Sequence, residues 1–325
     1  MSATLITLRG PARVVVRQHR WTLRVAGGLA VLAAFGMIAV ALRSSHVVEV
    51  FEATGCSPDG GTGRACDQTA RNYWDSVSRY DWFLGNFASA LRFLPVLFGA
   101  FVAGPLIARE LESGTFRTAW TQSVSPARWL AAKLAVPTVL VLAGSTALAA
   151  VLHWARNHSG TPRSPEWYSA DAFATTGTVP AAQLLFGLGV GVLTGLLVRR
   201  ALLALALSGF ATGAVVTVFT YGRGLLWPRN TVTGRTLNVQ ENMWWVETGH
   251  LTSGGARLPD DVCAGSTSAT GYNRCLADHD ITGSYVDYHP QSHFWPLQLV
   301  ETGILLALAA LALALAFRVL RRLHG

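Results

Sequence analysis

The sequence is poor in charged residues and contains almost no lysine. Charged side chains make up 14% of its 325 residues and hydrophobic ones 51%, whereas a soluble globular domain carries about 25% charged residues. Lys133 is the single lysine among 26 basic residues. This shortage of charge disfavours a soluble protein and favours a chain that lies in a membrane.

A net charge of +8 would by itself suit nucleic-acid binding. The basic residues, however, flank long apolar blocks and form no aromatic-interleaved patch of the kind that binds nucleic acid. We therefore expect no nucleic-acid partner.

Six apolar stretches reach the roughly 20 residues that a membrane-crossing helix needs. They cover residues 23–42, 83–108, 129–153, 179–198, 201–221 and 295–317. Arg92 interrupts the second stretch and Glu301 the sixth, and only Arg199 and Arg200 separate the fourth from the fifth, which predicts a tight hairpin. The sequence thus predicts an all-α polytopic membrane protein with a single transmembrane domain.

Basic residues are concentrated on one side of these spans. With the N-terminus inside, the inner segments hold 14 basic and two acidic residues, and the outer loops hold 11 basic and 15 acidic ones. Arginine and lysine accumulate in cytoplasmic loops. We therefore predict a multi-pass protein of the cell (plasma) membrane, embedded in the lipid bilayer with both termini in the cytoplasm.

The cysteines lie only in outer loops. Cys56 and Cys66 belong to the first loop, and Cys263 and Cys275 to the third. Four cysteines allow three connectivities, and pairing within each loop closes small rings in an oxidising compartment. Neither pair has zinc-knuckle spacing, so we predict two disulfides, with free thiols as the alternative.

The last outer loop, residues 222–294, is far longer than the outer loops 43–82 and 154–178. Loops of this length usually have a function or structure of their own. It contains tryptophans such as Trp227 and Trp244, and tryptophan is favoured at membrane interfaces. We expect short helices here, some lying at or dipping into the outer interface.

Near the N-terminus, arginine recurs every fourth residue at Arg9, Arg13 and Arg17, while Val14 and Trp21 occupy other helical faces. This pattern fits an amphipathic basic helix on the inner leaflet. An ordinary basic flank of the first span fits the spacing equally well.

Residues 109–128 form the only cytoplasmic loop of any length. Phe116 and Trp120 are four residues apart and would share one face of a helix, either as a docking surface or in the bilayer interface. Ser125 and Pro126 suit the cap and first position of the third spanning helix.

Three islands of sequence have the character of family motifs. They are Gly104-Pro-Leu-Ile-Ala-Arg-Glu-Leu-Glu-Ser-Gly-Thr with the later Ala119-Trp-Thr-Gln-Ser-Val, the N-terminal Val16-Arg-Gln-His-Arg-Trp, and Tyr288-His-Pro-Gln-Ser-His-Phe-Trp-Pro-Leu-Gln before Glu301-Thr-Gly. Through these islands the whole chain resembles actinobacterial ABC transporter permeases of the type-two exporter class.

The resemblance implies six helices preceded by an elbow helix over residues 1–22, a coupling helix within 109–128 and re-entrant helices within 222–294. It also implies that two permease subunits pair, each on a cytoplasmic ABC ATPase. The residues implied to couple the permease to that ATPase are Glu110, Glu112, Gly114, Thr115, Phe116, Arg117, Trp120 and Gln122.

The chain has no phosphate-binding loop of the form Gly-x-x-x-x-Gly-Lys-[Ser/Thr]. Leu251-Thr-Ser-Gly-Gly-Ala superficially resembles an ABC signature but lies in an outer loop without nucleotide-binding context. We therefore place ATP and Mg on a partner ATPase and expect no catalytic site, cofactor or metal in this chain.

Arg92 and Glu301 are charges embedded in predicted spans, where each costs a few kcal/mol and should face protein or water. Three interpretations remain open: a mutual ion pair that joins two helices, a role in substrate passage or gating, and snorkelling to the interface.

Histidine and aspartate cluster in the last outer loop. The residues concerned are Asp278, His279, Asp280, Asp287, His289 and His293. A metal site is conceivable, because two of the histidines are four residues apart, but we favour solvated polar residues.

The favoured function is the permease subunit of an ATP-driven ABC exporter that moves an amphipathic or hydrophobic substrate, such as a drug, lipid-like metabolite or peptide, by alternating access. The alternative is a membrane-anchored protein whose outer loop has an enzymatic, sensing or partner-binding function.

Overall fold

The computed structural model describes residue 17 and residues 20–59, 64–114, 125–160, 166–237 and 242–322. Its α-helices are α1 (Arg20–Glu52), α2 (Arg64–Phe98), α3 (Gly104–Ser113), α4 (Pro126–His158), α5 (Ala170–Thr175), α6 (Val179–Val198), α7 (Ala201–Gly222), α8 (Ala269–Asp278) and α9 (Phe294–Arg322). Its strands are β1 (Asn230–Gly234), β2 (Trp244–Thr252), β3 (Arg257–Pro259) and β4 (Ile281–His289). Most of the predicted elbow helix, residues 1–22, lies outside the described residues.

The chain forms two compact units. The membrane unit comprises Met1–Pro165, Ala170–Val218 and Thr302–Gly325, and the sheet unit comprises Glu166–Ser169 and Phe219–Glu301. The helices α7 and α9 contribute residues to both units.

Within the described ranges, six helical segments are long and apolar enough to cross a membrane, as many as the sequence predicts. They are Leu23–Glu52, Arg64–Ser113, Pro126–His158, Val179–Val198, Ala201–Leu225 and Gln291–Arg322. Large apolar side chains such as Phe35, Leu202 and Phe210 are at least 70% exposed on them. Exposed apolar side chains of this kind are suited to contact with lipid, which is as apolar as leucine.

The first outer loop is mostly helical, which the sequence analysis did not predict. The helix α1 extends to Glu52, and α2 already begins at Arg64, so much of the predicted loop 43–82 forms a helical hairpin. Phe51 stacks on Tyr73 with ring centroids 4.2 Å apart. The two rings belong to a buried cluster that joins these helix ends.

The helix α2 continues through a π-helical turn, Gly99–Ala103, into α3. Pro105 follows this turn and has no N–H for the carbonyl four residues earlier, a common cause of a local change in hydrogen bonding. The hydroxyl of Ser208 on α7 donates to the Gly99 carbonyl at 2.8 Å. A side chain of the neighbouring helix α7 therefore donates a hydrogen bond to one carbonyl group of the irregular turn.

Glycines allow α6 to pack closely against this turn and α3. A Cβ atom added to Gly191 would lie 2.6 Å from the carbonyl carbon of Ala103 and 2.7 Å from the nitrogen of Gly104. One added to Gly104 would lie 2.7 Å from the carbonyl oxygen of Ala204 on α7. A larger residue at either position would therefore collide with the backbone of a neighbouring segment, so both positions require glycine. Small residues have the same function in helix interfaces of other membrane proteins.

The sheet unit contains a four-stranded antiparallel sheet with the strand order β1-β4-β2-β3. The sequence analysis expected short helices in residues 222–294; α8 is one, but the sheet is the larger element. The strands β2 and β4 are rich in aromatic and β-branched residues, which favour strands. The re-entrant position of any part of this loop stays a prediction.

We expect Gly191→Ala to destabilise the membrane unit by about 1–3 kcal/mol, the usual cost of overpacking, because its methyl group would collide with backbone atoms. Thermal unfolding of the detergent-purified protein measures this change. Gly144→Ala on α4 is the matched control, since nothing lies within 4 Å of its added Cβ. Equal unfolding temperatures for the two variants would contradict the packing argument.

Candidate functional site

Glu110 lies in the last turn of α3, within the predicted coupling loop 109–128. Its carboxylate accepts a hydrogen bond from the ammonium group of Lys133 on α4. The two side chains are only 16% and 9% exposed. The chain's single lysine therefore forms a largely buried ion pair with a predicted coupling residue.

Glu112, two residues further on, contacts a different helix. Its Oε2 accepts a hydrogen bond of 2.8 Å from the backbone N–H of Ala201, the first residue of α7. A carboxylate at a helix N-terminus is favoured by the unsatisfied N–H groups and the helix dipole. We call Glu110 and Glu112 the coupling carboxylates, since together they connect the end of α3 to α4 and α7.

The predicted tight hairpin between the fourth and fifth spans is confirmed. The helix α6 ends at Val198 and α7 begins at Ala201. Arg199 has a left-handed backbone conformation with φ 56° and donates its N–H to the Gly195 carbonyl at 3.1 Å. The two-residue connection places the N-terminus of α7 where Glu112 can reach it.

The remainder of the predicted coupling loop is described only at its ends. Gly114 ends α3 in a left-handed conformation with φ 72°, which glycine adopts without strain. Ser125 caps α4 by accepting a hydrogen bond from the Arg128 N–H, and Pro126 is the first helical residue, as predicted. The other predicted coupling residues, Thr115, Phe116, Arg117, Trp120 and Gln122, lie outside the described residues.

Arg92 on α2 pairs with Asp171 on α5. Its Nη1 donates to Asp171 Oδ1 at 2.9 Å, and the side chains are about a third exposed, at 30% and 31%. Ser89, one turn earlier on α2, also donates to the Asp171 carboxylate. Arg156 of α4 adds a favourable charge interaction with the same aspartate.

Glu301 on α9 pairs with Arg223, which follows α7. Its Oε2 accepts a hydrogen bond of 2.8 Å from Arg223 Nε, and Oε1 accepts one of 3.4 Å from Nη2. The two side chains are 2% and 0% exposed. The hypothesis that Arg92 and Glu301 pair with each other is therefore wrong, because each has a nearer partner from a segment that the hydropathy pattern did not single out.

The histidine and aspartate residues of the sheet unit are dispersed rather than gathered around one point. Among the described residues, no group of three or more His, Cys, Asp or Glu side chains is arranged to hold a metal ion. Asp278 and His279 are exposed, and Asp280 accepts a hydrogen bond from Ser253.

Two members of that set are buried, so their interpretation as solvated residues is wrong. Asp287 is 6% exposed and His289 is fully buried. Burial raises the pKa of Asp287, but hydrogen bonds from Thr231 and Arg257 outweigh it, so that the pKa lies below its ordinary value. The carboxylate is therefore held ionised within the sheet, and the Arg257 bond measures 2.8 Å.

Both predicted disulfides are confirmed. Cys56 pairs with Cys66 and Cys263 with Cys275, with Cα atoms 5.5 Å and 5.9 Å apart. The first bond closes the helical hairpin of α1 and α2, and the second connects the turn after β3 to α8.

A family model described as "ABC-2 membrane transporter related" matches residues 26–223. The chain belongs to this family. The match covers nearly all of the first five candidate spans of this ABC-2 related protein and includes Glu110 and Glu112. It ends at residue 223, before the strands of the sheet unit. Comparison with curated proteins gives no significant match, and comparison with solved structures gives none either.

Family membership and the six candidate spans identify the ABC-2 related protein as a multi-pass membrane protein and a transporter component of the permease type. No catalytic domain is evident in the part of the chain that the structure describes.

Sequence reasoning missed the ion-pair partners of the three predicted residues Glu110, Arg92 and Glu301. Lys133 was counted as a cytoplasmic flank, although its position four residues inside the third predicted span was a signal of burial. Arg223 follows the fifth span by two residues, and Asp171 lies in a loop that carried no apolar periodicity. Only a contact between distant segments identifies these two.

We expect Glu301→Leu and Arg223→Met each to lower the free energy of unfolding by about 3–5 kcal/mol, because either change leaves a buried charge without its partner. The double variant should recover most of that loss, since replacing both charges removes the desolvation cost. Chemical unfolding in detergent of the two single variants and the double variant measures the coupling. If the double variant lost as much free energy of unfolding as the two single variants combined, the two charges would not stabilise each other, and the prediction would be contradicted.

Proposed function

We propose that the chain is the permease subunit of an ATP-driven ABC exporter. Two permease subunits pair, and each rests on a separate cytoplasmic ATPase that binds ATP and Mg. Hydrolysis drives the spans between inward-facing and outward-facing states. Family membership supports the transporter class, and the apolar character of the spans favours an amphipathic or hydrophobic substrate.

The observation that carries this proposal is the pair of contacts made by the coupling carboxylates. Glu110 connects α3 to α4 through Lys133, and Glu112 connects α3 to α7 through the Ala201 N–H. Both carboxylates lie within residues 109–128, the loop that by resemblance contains the coupling helix. Movement of that segment by an ATPase would therefore be transmitted to two further spans through charged contacts at the end of α3.

The Glu110–Lys133 contact is suited to transmission because it is both charged and largely buried. Hydrogen bonds between ionised groups are about twice as strong as neutral ones, and in a region of low dielectric the pair resists separation. An apolar contact at the same point would allow the helices to slide, whereas this pair fixes their relative position.

We expect Glu110→Gln and Lys133→Met each to reduce ATPase activity that depends on the permease by about tenfold or more, since each leaves one largely buried charge unpaired. The exchanged pair Glu110→Lys with Lys133→Glu should restore part of the activity. The measurement is the ATP hydrolysis rate of the co-purified permease–ATPase complex in nanodiscs. Glu166→Gln, in the sheet unit, is the control and should leave the rate unchanged.

Two results would count against the proposal. Failure of any ABC ATPase to co-purify with the chain would remove the exporter assignment. Full activity of the single variants in an intact complex would retain the assignment but remove the coupling role of Glu110.

The orientation in the proposal places both termini in the cytoplasm and the sheet unit outside. The arginine distribution and the two disulfides support it, because disulfides persist in oxidising compartments.

We expect alkaline phosphatase to be active when fused after Gly265 and inactive when fused after Gly325, because the enzyme matures only in an oxidising compartment. Phosphatase activity of whole cells, normalised to the amount of fusion protein, is the measurement. The opposite pattern would reverse the orientation without affecting the family assignment.

A further inference from the structure

Two histidine rings face each other in the sheet unit. The Nδ1 atoms of His289, at the end of β4, and His293, directly before α9, are 2.9 Å apart. The other ring nitrogen of His289, Nε2, lies 3.1 Å from the carbonyl oxygen of Gly224. We call His289 and His293 the histidine pair.

These distances determine where the protons lie. A carbonyl oxygen only accepts hydrogen bonds, so Nε2 of His289 carries the hydrogen in that bond. In neutral His289 the Nδ1 atom is then a lone-pair acceptor, and Nδ1 of His293 is the donor to it. The gap between the two Nδ1 atoms therefore has room for a single hydrogen.

The pair accommodates one additional proton but not two. A first proton can occupy Nε2 of His293, which leaves the bridging hydrogen bond intact. A second proton must occupy Nδ1 of His289, where two N–H groups would point at each other across 2.9 Å. The contact then breaks, and a positive charge is left on a ring that is 0% exposed.

The surroundings of the histidine pair disfavour this charge. Burial lowers the pKa of His289, and the positive charge of Arg229 adds to the effect, although the hydrogen bond to Gly224 opposes it. Arg229 also donates to the Gly224 carbonyl, at 3.3 Å, and pairs with Glu247 of β2.

The remaining charged groups belong to elements that meet near the pair. They are Arg223 of the turn after α7, Glu301 of α9, Asp287 of β4 and Glu166 of the segment that includes Tyr168. Arg223 and Glu301 neutralise each other, and Asp287 is neutralised by Arg257. Among the described residues, no carboxylate lies within hydrogen-bond distance of either histidine ring.

The histidine pair holds together segments that precede and follow the sheet. Gly224 belongs to the helical turn Arg223–Leu225 that follows α7, and its neighbour Arg223 binds Glu301 of α9. Trp244 of β2 lies against His289 with ring centroids 5.3 Å apart, and Trp227 lies 6.5 Å from His293. Loss of the contact would therefore loosen the turn, the end of β4 and the start of α9 together.

We propose that the histidine pair is a pH-sensitive contact: acidification adds a second proton to it and separates the turn Arg223–Leu225 from β4 and the start of α9. The open state binds more protons than the closed one, so closure is complete above the ordinary histidine pKa and is lost as the pH falls below it. Sensing of the external pH rests on the orientation proposed above; the contact itself does not.

Hydrogen exchange of the purified wild-type chain in nanodiscs, without an ATPase, tests the proposal. Between about pH 6.5 and about pH 5.5 the opening equilibrium of peptides covering 223–229 and 289–295 should rise, by up to about tenfold for each extra proton bound in the open state. Rates are corrected for the intrinsic pH dependence of exchange, and peptides from α6 serve as the internal reference. An opening equilibrium that does not change with pH would overturn the proposal.

His293→Gln provides the matched variant, because its amide can donate an N–H to Nδ1 of neutral His289 and, after turning over, offer its oxygen to the protonated ring. Two N–H groups therefore never face each other in this variant. We expect the acid-induced opening to become several-fold smaller in this variant, while His279→Gln, which alters an exposed histidine of the same unit, retains the wild-type response. Equal responses of the two variants would contradict the proposal. If His293→Gln does not fold, the wild-type pH series decides.

A metal ion is the competing occupant of the space between the Nδ1 atoms. Addition of Zn²⁺ to the metal-free wild-type chain at about pH 7.5, above the ordinary histidine pKa, should leave the opening of 223–229 unchanged. Zinc-dependent protection that is absent from His293→Gln would replace the proton-sensitive contact with a metal site.

Discussion

A charge that leaves water must find a partner, and this requirement accounts for much of the arrangement described here. The ion pairs Glu110–Lys133 and Arg223–Glu301 are buried, and Arg92–Asp171 is about one third exposed. Removing one ion from water costs several kcal/mol, which only a close and well-oriented partner offsets. Each pair therefore adds a directional contact between two segments, which apolar packing alone does not provide, since apolar side chains also pack well against lipid.

Close backbone approach supplies the second constraint. The glycines of α6 and α3 bring the π turn, α3 and α7 near enough for Ser208 to reach the Gly99 carbonyl and for Glu112 to reach the Ala201 N–H. Dispersion forces act only over short distances. Moving these helices apart by the width of a methyl group would therefore remove many contacts at once. The polar contacts at the end of α3 are therefore a consequence of small side chains several turns away.

The sequence was sufficient for features that depend on composition or on neighbouring residues. Hydropathy identified six spans, the spacing of Arg199 and Arg200 identified the hairpin, and local chemistry identified the cap at Ser125. Disulfide pairing followed from proximity along the chain. Each of these rests on interactions within a few residues, or on the length of hydrocarbon that a helix must cross.

Features that depend on contacts between distant segments were not predictable in the same way. Nothing in the sequence around Asp171 or Arg223 indicates that either residue forms an ion pair. Arg92 and Glu301 were wrongly paired with each other because they were the two charges inside the apolar stretches. The sheet was missed although β2 and β4 have strand-like composition, because the length of the loop and its tryptophans were interpreted as short helices at the membrane interface. The helices of the first outer loop were missed because the sequence there is polar, as in a loop. The contact that stabilises them, between Phe51 and Tyr73, joins residues far apart in the sequence.

The burial of Lys133 has a consequence for the chemistry of the protein surface. No other residue of the sequence carries an ε-amino group, and the side chain of Lys133 is 9% exposed and bound by Glu110. Crosslinkers, biotinylation reagents and acylating enzymes that act on lysine therefore find no accessible side chain in this sequence. Its solvent-facing cationic surface consists of guanidinium groups, which keep their charge at any physiological pH.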